Sequence, residues 1–196
     1  MIQHTDRFSR AIEAIDAANA ADPNKVTHEG VEEPKELVYG RQMSGWLIRL
    51  DPGAPEALRL AVRAQHIRRW EIPRTDYPEG RMGYLKWRKD LQDFHAKAIA
   101  EILKDCGYDA ETITRVSALL HKEKLKSDKD SQALEDIACL VFLEHYFAEF
   151  AAKHPEDKLI QIVKQTWRKM SPRGHEAALT LDFPPNLKRI VEKALA

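Results

Sequence analysis

The chain has 196 residues, of which 43% are hydrophobic, and this length suits one domain with a substantial buried core. Its 31 basic and 31 acidic residues cancel, so the net charge gives no sign of binding to DNA or to a membrane surface. The apolar runs are short, and residues 1–6 lack the layout of a signal peptide. With Cys106 and Cys139 as its only cysteines, the chain is expected to be cytoplasmic, with both thiols reduced.

The spacing of apolar residues predicts an all-α fold, because no segment of strand length alternates apolar and polar residues. We expect a single compact domain over residues 1–196, with a core over about 35–153 and C-terminal helices over 155–196. The predicted helices, in chain order, cover residues 8–20, 35–50, 55–70 and 84–107, then one holding His121, a long one holding Asp136, two beginning near Pro155 and Pro172, and one over 184–196. Linkers are expected at 22–34 and 71–83.

Helix-end signals support several of these boundaries. Gly107 suits the left-handed conformation that follows a helix, and Asp109 suits the N-cap of the next helix. Ser171 is predicted to cap a helix that begins at Pro172, since proline is favoured at the first helical position.

Four potential metal ligands lie on successive predicted helices. They are His66, His95, His121 and Asp136, separated by 29, 26 and 15 residues, or about one helix and its connection each time. Imidazole and carboxylate are ligands that borderline divalent metals prefer. If the helices pack together, the four side chains could therefore form one site.

Each ligand also has a simpler interpretation. His95 could be a hydrogen-bonded core histidine, and His121 could be a favourable cation near a helix end. Asp136 lies in an apolar stretch, where an unpaired carboxylate would be costly. His145 follows Asp136 by nine residues on the opposite helix face, so it is not a candidate ligand.

The predicted third helix carries a polar stripe. On a helical wheel, Arg59, Arg63, His66 and Trp70 fall within roughly 60°, with apolar residues on both flanks. Such a stripe could face a cavity or a polar partner. It could instead be a solvated edge along which the arginines extend their charged ends.

The order of these residues resembles the HD superfamily, an all-α group of metal-dependent phosphohydrolases. The resemblance implies that His66 and Asp136 are catalytic and that His66, His95, His121 and Asp136 hold a divalent metal such as Mn, Fe, Zn or Ni. Two positions depart from the family pattern. Ile67 stands where the aspartate of the His-Asp pair is expected, and Tyr39 where a preceding histidine is expected.

The chain also resembles the family of domains of unknown function numbered 4202. The segments that carry this resemblance cover residues 36–41, 63–74, 143–147 and 167–175. It brings an expectation about the fold but none about the activity.

Basic residues cluster in sequence around the candidate ligands, although the whole chain is neutral. This pattern indicates a small anionic ligand of the phosphorylated class rather than DNA. The candidate ligand-binding residues are Arg59, Arg63, Arg69, Arg88, Lys124 and Tyr39. Tyr77, Tyr84 and Trp87 could stack a base or cover the pocket, or could simply pack in the loop.

Two functional hypotheses follow. The first is a divergent HD-like hydrolase acting on a nucleotide or another small phosphorylated substrate, with a metal that activates water. The alternative is a non-catalytic module that binds an anion or a partner protein on the same scaffold. The missing His-Asp pair favours the alternative, and the retained ligand-type residues favour the hydrolase.

Overall fold

The computed structural model describes residues 6–196; residues 1–5, which carry most of the signal-peptide prediction, lie outside the described part. Over residues 6–196 the chain is helical apart from one short hairpin, which confirms the all-α prediction. No helix in this range is long and apolar enough to cross a membrane. The chain divides into two compact units, the first ending at Glu123 and the second beginning at Lys124. The single domain, with its core over 35–153, stays a prediction.

The first unit contains five α-helices and the hairpin. Its elements are α1 (Arg7–Ala20), β1 (Lys25–His28), β2 (Val31–Pro34), α2 (Lys35–Leu50), α3 (Glu56–Arg63), short 3-10 turns at Arg69–Glu71 and Arg74–Asp76, α4 (Gly80–Asp105) and α5 (Ala110–Leu120). Helix α3 packs between α2 and α5, and α4 packs along α5. Their apolar faces form a core that includes Ile15, Met43, Leu60, Ile99 and Leu119, all fully buried.

The hairpin lies in the segment that we predicted to be a linker. Strands β1 and β2 are antiparallel, and His28 pairs with Val31 across a two-residue turn. Both turn residues, Glu29 and Gly30, have positive φ angles, as the favoured two-residue hairpin turns require. The four-residue strands are too short and too exposed to show an apolar alternation.

Helix α3 ends at Arg63, seven residues before the predicted end at Trp70. The chain then turns, and Arg68 takes a left-handed conformation with a φ of 51°. The buried side chain of Asn19, near the end of α1, accepts a hydrogen bond from the Arg68 backbone N–H at 2.9 Å. The stripe interpretation was therefore wrong beyond residue 63, because His66 lies in this turn and not on a helix face.

The second unit is helical throughout. Its elements are α6 (Lys129–Val141), a π-helical turn (Phe142–Tyr146), α7 (Phe147–Ala151), α8 (Glu156–Trp167), α9 (Pro172–Ala178) and α10 (Pro185–Leu195). Helices α8 and α10 pack together around the fully buried Phe147. The predicted long helix is thus present over 129–151, with a wider turn in its middle.

Side-chain caps hold the helix starts where the sequence indicated them. Asp109 accepts a hydrogen bond from the Thr112 backbone at the start of α5, and Ser171 accepts one from the Gly174 backbone at the start of α9. Both predicted caps are confirmed.

Gly174 provides a test of the packing in the second unit. A Cβ atom at Gly174 would lie 2.8 Å from the Asp136 carboxylate carbon, and that carboxylate is held by hydrogen bonds. We expect Gly174→Ala to lower the free energy of unfolding by about 1–3 kcal/mol through overpacking. The measurement is urea denaturation followed by circular dichroism.

Gly45→Ala is the matched control. Gly45 is exposed within α2, and an added Cβ would meet nothing within 4 Å. This change should raise stability by about 0.5–1 kcal/mol, because alanine is the better helix former. Equal effects of the two substitutions would contradict the packing described at Gly174.

Candidate functional site

The first unit gathers a set of polar side chains around His66. We call Glu36, Tyr39, His66, Arg69 and His95 the His66 cluster. Glu36 and Tyr39 lie on the first turns of α2, His66 and Arg69 follow α3, and His95 lies on α4. Only Tyr39, His66, Arg69 and His95 among them were candidates from the sequence.

Glu36 and Arg69 hold the imidazole of His66 from opposite sides. His66 Nδ1 lies 3.2 Å from Glu36 Oε2, and His66 Nε2 lies 2.9 Å from the guanidinium of Arg69. A guanidinium only donates hydrogen bonds, so Nε2 must accept and the ring proton must be on Nδ1, donated to Glu36. His66 is therefore a neutral imidazole with a defined tautomer.

Helix α2 positions Glu36 through a cap supplied from a distance. The Asp22 carboxylate accepts a hydrogen bond from the Glu36 backbone N–H at 3.0 Å, because Pro34 at the N-cap offers no side-chain cap of its own. Asp22 and Glu36 are both buried. A carboxylate in the first turn of a helix is favoured by the helix dipole, which helps to offset the burial of Glu36.

Aromatic rings enclose the other side of the cluster. The ring of Tyr39 stacks on that of His66 with centroids 3.9 Å apart and planes inclined by 9°. The Arg69 guanidinium lies 4.8 Å from the Trp87 ring centroid, within the range of a cation–π contact. Trp87 is fixed by a hydrogen bond from its indole N–H to the Ile72 carbonyl.

His95 has one bonded nitrogen and one unbonded nitrogen. Its Nδ1 donates to the Ile67 carbonyl at 2.8 Å, and its ring centroid lies 6.1 Å from that of His66. His95 is 4% exposed, and its Nε2 has no hydrogen-bond partner among the described residues. Since the carbonyl can only accept, Nδ1 carries the proton.

Burial sets the charge states in this cluster. Burial and the positive charge of Arg69 hold the pKa of His66 well below its usual value. Burial likewise lowers the pKa of His95, from 6.5 to about 3. Burial raises the pKa of Glu36, although Arg69 opposes that shift. Both histidines are thus neutral at physiological pH.

The cluster also lies in a positive field. Arg88 and Lys122 add to the charges that depress the pKa of His66. Arg88 donates to the Tyr84 hydroxyl at 3.2 Å and lies over the Tyr84 ring. Of the predicted ligand-binding residues, Tyr39, Arg69 and Arg88 are therefore placed at or near the cluster.

Two predicted ligand-binding arginines are engaged with α1 instead. Arg63 forms a two-pronged ion pair with Asp16, at 2.7 Å through its Nε, and Arg59 lies 4.0 Å from the Phe8 ring centroid. Lys124 is the first residue of the second unit.

His121 and Asp136 have partners of their own. His121, just after α5, lies 3.1 Å from Asp93 and 3.9 Å from Glu123. In the second unit, Asp136 Oδ1 accepts from the Ser171 backbone N–H at 2.8 Å and from the Gln132 side chain at 3.0 Å, while Oδ2 accepts from the Ser171 hydroxyl. Asp136 thus ties the start of α9 to α6.

These partners do not fit the four-ligand metal centre. Within residues 6–196, no group of three or more His, Cys, Asp or Glu side chains is arranged to hold a metal ion. The Arg69 guanidinium at His66 Nε2 would also repel a cation there. The metal centre stays a prediction.

Sequence reasoning missed Glu36 and Asn19, the two residues that position His66. The single signal for Glu36 was a carboxylate directly before an apolar run in α2, where a first-turn residue usually faces solvent. Asn19 looked like an ordinary helix-end residue in an alanine-rich segment. Neither role could be found without the tertiary contacts.

The depressed pKa of His95 predicts a pH-dependent stability. The unfolded chain binds a proton at His95 once the pH falls below 6.5, but the folded chain does not until about pH 3. Because the unfolded state binds more protons in this window, stability falls as the pH falls. We expect a loss of about 2 kcal/mol between about pH 7 and pH 5 from His95.

Urea titrations of the wild type and His95→Gln at both pH values measure this loss. The variant lacks the titrating imidazole, so its stability should fall by about 2 kcal/mol less than that of the wild type. Glu36, whose raised pKa acts with the opposite sign, is common to both proteins. Parallel pH profiles would show that His95 is not buried as a neutral ring.

The contacts of Asp136 predict that it stabilises the second unit. We expect Asp136→Ala to lower the free energy of unfolding by about 2–4 kcal/mol, because three hydrogen bonds to a buried carboxylate are lost and their donors are left unpaired. Asp182→Ala, at an exposed position between α9 and α10, serves as the control. An Asp136→Ala protein whose free energy of unfolding equals that of the wild type would contradict this role.

Comparison with known proteins identifies the family. No curated protein and no solved structure matches the chain. A family model described as a domain of unknown function, DUF4202, matches residues 9–191, which spans both units and the entire His66 cluster. The chain therefore belongs to the DUF4202 family.

Proposed function

We propose that the first unit binds a small phosphorylated molecule at the His66 cluster, with Arg69 as the residue that takes the phosphate charge. The observation that carries this proposal is that the Arg69 guanidinium is partly buried without a directly contacting carboxylate among the described residues. Its guanidinium is half-buried and, among the described residues, makes no ion pair; its one side-chain hydrogen bond goes to a neutral nitrogen. A buried charge in this state costs free energy that an anionic ligand would recover.

Other arginines of the first unit show the contrast. Arg41, Arg63 and Arg68 form ion pairs with Glu33, Asp16 and Glu71 respectively. These three contact a carboxylate directly, whereas Glu36, the carboxylate that acts most strongly on Arg69, lies on the far side of the His66 ring. The fork of donors on a guanidinium matches the oxygens of a phosphate, which favours this ligand class.

The field around the cluster supports the same ligand. Arg69, Arg88 and Lys122 all depress the pKa of His66, so a negative charge placed there would be attracted from several directions. This focusing is local, because the whole chain carries no net charge. A small anion fits this localised positive field better than a nucleic-acid backbone does.

The second candidate is an HD-like phosphohydrolase, and the Glu36–His66 pair favours it. A carboxylate that orients a neutral imidazole is a common general-base arrangement. When a phosphate draws Arg69 away, His66 Nε2 becomes free to accept a proton from an attacking water, while Glu36 stabilises the imidazolium that forms. A divalent metal would add Lewis-acid chemistry, although within residues 6–196 no group of three or more His, Cys, Asp or Glu side chains is arranged to hold it.

Isothermal titration calorimetry with inorganic phosphate tests the binding proposal. We expect Arg69→Gln to weaken phosphate binding about tenfold or more, since it removes the charge-assisted hydrogen bonds. Arg41→Gln is the matched control, because it removes the same charge from an exposed residue paired with Glu33. It should leave the dissociation constant within about twofold, as expected of a surface charge.

Two results would contradict the proposal. One is a wild-type protein that binds neither phosphate nor a small phosphate monoester, and the other is an Arg69→Gln variant that binds phosphate as well as the wild type. Release of phosphate from a panel of monoesters separates the two candidates. Turnover that His66→Gln abolishes while phosphate binding persists would favour the hydrolase.

A further inference from the structure

His95 Nε2 is a buried polar atom that neither the fold nor the proposed phosphate contact uses. His95 is 4% exposed, and this nitrogen has no hydrogen-bond partner among the described residues. Leaving such an atom unpaired costs free energy, so buried polar groups without a partner are rare in folded proteins. At the edge of a candidate ligand site, the natural partner is a ligand.

The hydrogen bond to Ile67 decides what kind of partner His95 Nε2 can take. Because Nδ1 donates its proton to the Ile67 carbonyl, the neutral ring presents a lone pair at Nε2. Nε2 is therefore an acceptor and needs a donor. The depressed pKa of His95 agrees with this charge state.

The neighbouring groups do not supply that donor. The Nδ1 proton of His66 is directed to Glu36, and the Arg69 guanidinium is directed to His66 Nε2. An ionised Glu36 only accepts hydrogen bonds. A ligand made only of anionic oxygens would also fail, because its lone pairs would repel the lone pair of His95.

We propose that the ligand carries an O–H donor within the same group as its anionic oxygens, and that His95 Nε2 accepts this hydrogen bond while Arg69 binds an oxygen. Free hydrogenphosphate has this chemistry near neutral pH, whereas a phosphate monoester carries such a proton only below its second pKa of about 6. Sulfate, which holds no proton at neutral pH, does not. This inference rests on the proposed phosphate site and adds selectivity for a protonated oxyanion.

A comparison of phosphate binding with sulfate binding tests whether the ligand needs an O–H donor. At about pH 8 phosphate is mainly the hydrogenphosphate dianion, so both ions are tetrahedral and doubly negative and differ by one proton. We expect sulfate to bind the wild-type protein about tenfold or more weakly than phosphate, because it leaves Nε2 unpaired. Calorimetric titration with each ion measures the ratio.

The variant His95→Phe removes the acceptor and keeps an aromatic ring. We expect the preference for phosphate to fall to within about twofold, mainly through weaker phosphate binding. His121→Phe is the matched control, since His121 is half-exposed and paired with Asp93, and it should retain the wild-type preference.

A measurement on the unmodified protein keeps the test decisive if His95→Phe fails to fold. In protein labelled with ¹⁵N-histidine, the His95 Nε2 resonance should shift on addition of phosphate and not on addition of sulfate. Equal binding of the two ions, or an unchanged Nε2 resonance at saturating phosphate, would overturn this inference alone. Binding of neither ion, and of no small phosphate monoester, would overturn the proposed phosphate site and this inference together.

Discussion

The hydrogen bond from the Arg68 backbone to the side chain of Asn19 is the contact on which the candidate site depends. It holds Arg68 in a left-handed conformation, which a non-glycine residue seldom adopts without compensation. The turn that it stabilises ends the helical course after α3. As a result, the Ile67 carbonyl meets His95, and His66 lies between Glu36 and Arg69. If α3 continued to Trp70 as a helix, the Ile67 carbonyl would bond within the helix and could not meet His95.

Within the cluster, the direction of each hydrogen bond follows from what its partners can donate. A carboxylate, two neutral imidazoles and a guanidinium are arranged so that every proton on the histidines has one acceptor. Among these contacts, Arg69 keeps N–H donors beyond the one that meets His66, and His95 Nε2 keeps an unpaired acceptor. A ligand that complements both must be amphoteric. The proposed selectivity arises from this pairing of a charge with a lone pair, more than from the amount of positive charge.

The sequence predicted the fold class and most helix boundaries because those depend on local signals. Apolar periodicity, Asp109 and Ser171 as caps, and the prolines at helix starts all act within a few residues. The turn after α3 could not be predicted in this way, since it is stabilised by a hydrogen bond from Arg68 to Asn19, 49 residues earlier. The same holds for Glu36, whose burial depends on a cap from Asp22.

The candidate site was predicted only in part for a related reason. His66, His95 and Arg69 were found because histidines and arginines near apolar stretches stand out in a sequence, whereas Tyr39 was proposed from the HD resemblance, at a position where that family has a histidine. Which of these side chains contact one another depends on where each helix ends. Because α3 ends at Arg63, the helical wheel that placed Arg63 and His66 on one stripe was wrong, and Arg63 pairs with Asp16 instead. Spacing alone also could not distinguish Asp136 as a ligand from Asp136 as an anchor of α9.

The anchoring of α9 by Asp136 has a consequence for genetic experiments on this family. In a screen that scores only loss of function in cells, replacement of Asp136 would look like damage to an active site. A loss of a few kcal/mol in folding free energy lowers the cellular abundance of a protein through degradation. Steady-state protein level must therefore be recorded with every phenotype. Without it, a residue that acts through the amount of protein would be mistaken for one that acts through its chemistry.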